Sequence, residues 1–361
     1  MRIAQVAPLY ESVPPRHYGG TERVVSWLTE ELVALGNDVT LFASADSLTS
    51  ARLRAGCAQG LRTAPNCVDP MPYHLLMLEQ VLRRASDFDV VHFHIDYMHF
   101  PASRRQNLCH VSTLHGRLDI PDLAPLYAEF QEMPVISISL EQRRPLPWLN
   151  WAGNVYHGLP HDLFAARFEP GAYLAFIGRI SPEKRPDRAI EIAKRTGIPL
   201  KIAAKVDRAD REYFEAQIKP LLNHPLIEYI GEIGDREKGE FLGNALACLV
   251  PIDWPEPFGI TMIEAMACGT PVIAYRHGSV PEVIADGLTG FIVSSMDEAV
   301  AAVERIPQVS RRACRKMFES RFTAPRMASE YMRIYQQQIA RKTGEIPIII
   351  EPEPKDTQLL P

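Results

Sequence analysis

The stretch 256-EPFGITMIEAMACGTPVIAYRHGSV-280 decides how the chain is read. Glu256 stands ahead of a Pro-Phe-Gly turn, and Glu264 follows eight positions later inside an apolar run with helical spacing. Gly269 and Pro271 stop that helix, and PVIAY reads as a buried strand. A turn that opens a helix leaves backbone N–H groups unpaired, here near Gly259, Ile260 and Thr261. Those groups and the helix dipole favour an anion, phosphate above all. A carboxylate before the turn and another on the first turns can take hydroxyls on either side of that anion. A phosphate flanked by two hydroxyl-bearing groups describes a nucleotide sugar. The same spacing fits an ordinary capped core helix with one solvated glutamate, and spacing alone does not choose between the two.

Working back from this stretch, residues 173–177 form a strand that runs into Gly178-Arg179-Ile180-Ser181-Pro182-Glu183-Lys184, and a helix starts near Pro186. Arg179 and Lys184 can converge at the carboxyl end of that strand. There they would neutralise a diphosphate, Arg as a fork and Lys as a point charge. Taken in isolation they read as two surface cations. Strands at 200–204 and 227–230 bring Lys205, Asp207 and Glu232 to the same edge, where mostly backbone groups would hold a base. Helix 238–245 and strand 248–252 deliver Glu256. Further helices are expected at 281–285, 296–305, 311–318 and 327–339.

The first half opens the same way. Strand 3–8, a loop with Tyr18, Gly19, Gly20 and Thr21, helix 22–35 and strand 39–43 start a parallel sheet. Gly19 and Gly20 let backbone approach a ligand at the strand's carboxyl end, although a Gly pair is also a plain tight turn. Residues 45–72 read as loops with at most one short helix. A helix at 73–85 and strand 89–93 follow. His92 and His94 alternate on that strand and share a face. With Asp96 and His99 they raise a metal reading, but no third ligand is obvious and a structural pair is preferred. Strand 110–114 ends at His115-Gly116, and 134–139 is another strand. Arg143, Arg144, Trp148 and Trp151 form a basic–aromatic cluster that suits a membrane surface or a sugar acceptor. A packed helix ending at Pro147 is the preferred reading.

E-x7-E, with PFG after the first Glu and EAMACGTPVIA around the second, resembles the signature of the GT4 family of retaining glycosyltransferases. The resemblance runs from residue 1 to about 340 and is strongest over 173–293. It implies an α/β, GT-B fold: two Rossmann-like domains whose parallel sheets face each other across a nucleotide-sugar cleft. Residues 1–165 would be the acceptor-side domain and 166–320 the nucleotide-sugar-binding domain. Residues 321–342 would be a helix crossing back to the first domain, and 343–361 a disordered tail. Gly178 to Lys184 is similar to the family's GR-x-x-x-EK motif, with Arg185 where Gly is usual. Thr113-Leu114-His115-Gly116 matches a strand-end segment whose His contacts the donor sugar. NVYHG at 154–158 resembles the turn before the linker, with His157 where Asn is usual.

The resemblance also implies roles. His115, Arg179, Lys184 and Glu256 would carry the chemistry. Gly19, Gly20, Arg179, Lys184, Glu232, Glu256, Gly259, Ile260, Thr261 and Glu264 would bind the nucleotide sugar, Glu264 through ribose hydroxyls. Arg117 and Asp119 lie beyond His115, toward the acceptor, which would be a sugar, a lipid or a small molecule. The leaving diphosphate would be stabilised with no metal and no other cofactor. A nucleotide-sugar 2-epimerase, a sugar phosphorylase and a non-catalytic nucleotide-sugar sensor are the alternatives.

Bulk properties agree with two domains. The chain has 361 residues, 46% hydrophobic and 23% charged. A formal net charge of -5 gives no electrostatic case for nucleic acid. Six cysteines without a CxxC pair suggest reduced thiols and a cytoplasmic setting. MRIAQVAPLY reads as a strand rather than a signal peptide, and no apolar run is long enough to span a membrane. Peripheral membrane attachment stays open.

Overall fold

The computed structural model describes residues 1–16, 19–106 and 108–344. Tyr18 and the tail at 345–361 lie outside them. Seven strands build the first sheet: β1 (Arg2–Val6), β2 (Asp38–Ser44), β3 (Arg52–Cys57), β4 (Val90–Phe93), β5 (His110–Thr113), β6 (Val135–Ser137) and β7 (Trp151–Asn154). Their order is β3-β2-β1-β4-β5-β6-β7, every pair parallel. Six build the second: β8 (Tyr173–Arg179), β9 (Leu200–Lys205), β10 (Ile227–Gly231), β11 (Ala245–Val250), β12 (Val272–Tyr275) and β13 (Gly290–Val293). Their order is β10-β9-β8-β11-β12-β13, again all parallel.

Parallel sheets need helical crossovers on both faces, so their central strands are buried on both sides and read as apolar runs. β12, VIAY, is buried at all four positions. The first domain carries α1 (Gly20–Ala34), α2 (Met71–Arg83), α3 (Phe100–Gln106) and α4 (Leu123–Glu129). The second carries α5 (Pro186–Thr196), α6 (Arg211–Tyr213), α7 (Asp235–Gly243), α8 (Ile260–Ala267), α9 (Val280–Val283), α10 (Met296–Arg305) and α11 (Arg311–Arg321). The last helix, α12 (Ala324–Thr343), packs on α1, β4 and β5 of the first domain. Its Tyr331 and Tyr335 are fully buried there.

Two chain crossings meet at the hinge. Leu159 pairs with Thr323, and a Cβ on Gly158 would sit 2.2 Å from the Thr323 carbonyl oxygen, so only glycine allows this approach. Arginines then satisfy the carbonyls that the irregular hinge leaves over. Arg315 donates to the carbonyls of His161 and Phe164 and also to that of Ala267 at the end of α8, and Arg326 to those of Tyr156 and His157.

Several sequence expectations need correction. Segment 45–72 contains β3, an edge strand missed because RLRAGC is largely exposed and offers no apolar face. Segment 141–151 is not a helix: a single 3-10 turn spans Glu141–Arg143, and Trp151 begins β7. Its basic–aromatic cluster is divided as well. Arg143 lies 4.9 Å over the Trp151 ring and donates to Ser137, while Arg144 pairs with Glu141. The helix expected at 238–245 is α7, which starts at Asp235, and Ala245 already belongs to β11.

Candidate active site

In an open parallel sheet the crevice lies at the strand carboxyl ends where the order reverses. The first sheet reverses between β1 and β4, the second between β8 and β11. The two crevices face each other and form one cleft of about 520 Å³. Its walls include Pro8 and His94, just past the ends of β1 and β4, and Gly178, Arg179, Val250 and Ile252 at and just past the ends of β8 and β11. The residues expected to carry the chemistry or bind the nucleotide sugar line it, namely Gly19, Gly20, His115, Arg179, Lys184, Glu232, Glu256, Gly259, Ile260, Thr261 and Glu264, whereas Arg117, Asp119 and Asp207 do not.

The floor is the β11–α8 segment. Gly259 has φ 81°, a left-handed conformation that glycine tolerates, and caps α8 so that the helix mouth opens into the cleft. A Cβ there would meet the Met262 methyl carbon at 2.5 Å and Glu256 Cγ at 3.3 Å. The turn therefore sets the approach of Glu256. That carboxylate is buried, accepts from Trp254 Nε1 at 3.1 Å and pairs with Lys184 Nζ. Lys184 in turn lies 4.9 Å over the Trp254 ring. Glu264, 3% exposed, accepts from Lys238 Nζ at 2.8 Å.

Arg179, at the end of β8, reaches the cleft but is held by carboxylates: Glu183 directly, Asp210 at 3.5 Å and Asp207 at 3.8 Å. Both cations expected at a diphosphate thus have anionic partners already, partners that a diphosphate would displace or share. Arg185, where the resemblance expects glycine, takes φ 53° as the cap of α5. Its left-handed backbone explains that preference, and its side chain is clamped by Asp187 at 2.7 Å and Asp253 at 2.8 Å.

On the opposite wall, burial pushes the His115 imidazole down to about 3, so the ring is neutral at physiological pH. Its Nε2 bonds His94 Nδ1 at 2.9 Å, and its ring stacks on His157 with centroids 5.4 Å apart. The carboxyl of Asp96 next to it is raised to about 6 by burial. His92 bonds Tyr335 and Thr113 at 2.7 Å each, and His94 bonds Gln5 as well as His115. All four ring nitrogens of the His-x-His pair therefore have protein partners. Among the described residues no group of three His, Cys, Asp or Glu side chains is placed to hold a metal. Arg117 and Asp119 pair with each other at 2.6 Å and do not line the cleft.

Sequence reasoning missed Lys238, Trp254, His94 and His157 as members of the site. Lys238 and Trp254 reach their carboxylates from another helix and from a loop. No local pattern marks either, although a buried Glu264 demanded a cation from somewhere.

Two sheets of this topology around one shared cleft define the GT-B class of α/β protein. The family model described as glycosyl transferases group 1 matches residues 164–318, and that described as glycosyltransferase family 4 matches residues 18–159. The chain belongs to the GT4-type glycosyltransferase family. A phosphatidyl-myo-inositol mannosyltransferase of Mycobacterium leprae is 30% identical over 138 residues, 36% of each chain. The chain matches roughly a third to a half of the length of its curated relatives. Among solved structures, a sucrose-phosphate synthase from Thermosynechococcus elongatus superposes with a TM-score of 0.76 at 20% identity, covering 94% of this chain and 100% of that one. Anabaena HepE, solved with UDP and glucose, gives 0.72 at 16% identity, covering 92% and 98%.

Proposed function

We propose that this chain transfers a hexose from a nucleoside diphosphate to an acceptor hydroxyl, with retention at the anomeric carbon and without a metal ion. One observation carries the reading: Arg179 from β8, Lys184 from the turn after it and the mouth of α8 converge on one cleft, with Glu256 and Glu264 beside them. The difficult event is departure of the diphosphate. As the anomeric C–O bond breaks, negative charge grows on the phosphate oxygen and the sugar ring becomes oxocarbenium-like. Arg179, Lys184 and the N–H groups at Ile260 and Thr261 stabilise the first charge. Glu256 favours the second. Glu264 accepts ribose hydroxyls, with Lys238 holding its carboxylate in place. The acceptor oxygen attacks from the face the diphosphate leaves, and its proton passes to the departing phosphate oxygen. No protein nucleophile is then needed.

The solved HepE complex with UDP and glucose supports the donor class, as does the fold that protein shares with this chain. The test is turnover with UDP-, GDP- and ADP-sugars against a panel of acceptors. Nucleoside diphosphate should appear only when an acceptor is present. Lys184→Ala should lower turnover by about 10²–10³-fold, the value of a charged donor at a developing anion. Activity should survive EDTA. Wild-type rates in Lys184→Ala would remove the site assignment, and EDTA inhibition reversed by Mn²⁺ would remove metal independence.

A further inference from the structure

A buried chain of hydrogen bonds runs from the cleft to the crossing helix. His115 Nε2 meets His94 Nδ1 at 2.9 Å, and His94 Nε2 meets Gln5 Oε1 at 2.8 Å. Gln5 Nε2 donates to the Tyr335 hydroxyl at 3.0 Å, which meets His92 Nδ1 at 2.7 Å. His92 Nε2 meets Thr113 Oγ1 at 2.7 Å, and Thr113 meets the Tyr331 hydroxyl at 3.0 Å, where either hydroxyl can donate. Gln5, His92, Thr113, Tyr331 and Tyr335 are fully buried, so water cannot reset the pattern.

Such a chain carries one direction. A neutral imidazole has one N–H and one lone pair, so fixing one nitrogen fixes the other. Burial lowers His94 and His115 far below the usual imidazole range, and both are neutral at physiological pH. Gln5 offers its carbonyl oxygen to His94, which can meet it only as Nε2–H. His94 Nδ1 is then a lone pair, and His115 must meet it with Nε2–H. The remaining nitrogen, His115 Nδ1, has no protein partner among the described residues and belongs to a side chain that lines the cleft. Turning the Gln5 amide over would reverse every bond and leave Nδ1 protonated.

We propose that Gln5 and His94 are positioning residues that fix the tautomer of His115, so that His115 meets the donor sugar at Nδ1 as a hydrogen-bond acceptor. The inference rests on the cleft being a nucleotide-sugar site. It adds that His115 selects a sugar hydroxyl as donor, and that a sugar with no hydrogen to give at that position is disfavoured. Fluorine in place of the hydroxyl is the sharpest case, because its size is tolerated while its hydrogen is lost.

The test is nitrogen-15 NMR of the histidine side chains in the full chain, which distinguishes a protonated ring nitrogen from a lone-pair nitrogen without any turnover. The wild type should show His115 protonated at Nε2 alone. Gln5→Met, close in shape but without the amide, should show both tautomers. Its kcat/KM for the nucleotide sugar should fall about tenfold, the value of one misdirected hydrogen bond. Tyr335→Phe, one link further on, keeps the fold readable if Gln5→Met folds poorly, and should also mix the tautomers. A wild-type His115 protonated at Nδ1 overturns the proposal, as does an unchanged tautomer in both variants. Failure of the broader reading looks different: the tautomer pattern stands, but no nucleotide sugar is turned over.

Discussion

Lys238 shows what a single residue contributes here. Glu264 is almost wholly buried, and a buried carboxylate without a partner is costly. Lys238, itself only 14% exposed, supplies that partner at 2.8 Å. Lys238→Met should therefore destabilise the protein by about 3 kcal/mol, the lower end for breaking a buried pair from one side. It should also weaken nucleotide binding, since Glu264 loses the group that orients it. A thermal melt within a degree of wild type would show that the pair does not hold the carboxylate. The histidines predict a pH dependence. Burial lowers His92, His94, His99, His115 and His157, so an unfolded chain binds protons that the folded one refuses. The stability this represents is complete above the ordinary imidazole pKa of about 6.5. It is lost as pH falls, by about 1.4 kcal/mol per ring at the first unit below that value. Asp96, raised to about 6, acts oppositely: the stability it contributes is present below about 4 and lost as pH rises through 6. Burial also raises Glu11, Glu22, Glu31 and Asp210, which act like Asp96, and lowers His74 and His110, which join the other imidazoles. The fully buried rings dominate, so the melting temperature should drop between pH 6.5 and 5. A flat profile over that interval would contradict the buried, neutral cluster.

Among the elements, α8 has the most specific requirement, the left-handed residue at its mouth. Gly259→Ala places a Cβ 2.5 Å from the Met262 methyl carbon on a backbone that disfavours any side chain. The strain should cost about 1–2 kcal/mol. Because Glu256 also crowds that position, nucleoside diphosphate affinity should fall about tenfold or more by calorimetry. Unchanged affinity would mean that the helix mouth does not meet the anion. How much was legible in the sequence divides along similar lines. Central parallel strands such as β8, β9 and β12 are short apolar runs ended by glycine or charge, and each falls within a few residues of its expected place. Arg179 ends β8, Lys184 follows it closely and Glu256 follows β11, so that part of the cleft was readable from local order. β3 was not, because an exposed edge strand lacks the apolar alternation that marks a strand. Segment 141–151 failed for another reason: its apolar residues serve a 3-10 turn and a strand start, not one helical face. The His94–Gln5–Tyr335 chain joins strands and a helix hundreds of residues apart, and only the assembled fold brings those groups together.

At the scale of the molecule, two sets of polar links among the described residues join the domains across the cleft. Arg23 of α1 pairs with Asp235 at the start of α7, and Glu282 of α9 accepts from the backbone N–H groups of Leu140 and Glu141 and from the Tyr156 hydroxyl. The second set lies by the hinge, where α12 already ties the halves together. Arg23 itself lines the cleft, and Asp235 stands between Ile233 and Lys238, which line the other wall, so loss of the pair should change how far the cleft opens without unfolding either domain. Arg23 is 8% exposed in its side chain and Asp235 35%, which places the pair between a surface and a buried bridge. At about 1 kcal/mol, removing it shifts the balance toward the open arrangement about fivefold. Arg23→Ala should therefore enlarge the radius of gyration of the ligand-free protein in small-angle X-ray scattering. If the proposed function holds, saturating nucleoside diphosphate should reverse most of that change, because a ligand that bridges both walls favours the closed form by its differential affinity. The apparent Kd should rise by the same factor of about five, since the ligand must now supply the closure that the ion pair had stabilised. If scattering and affinity both match wild type, Arg23 and Asp235 are neighbours across the cleft rather than a clasp, and closure is governed by the hinge and α12 alone.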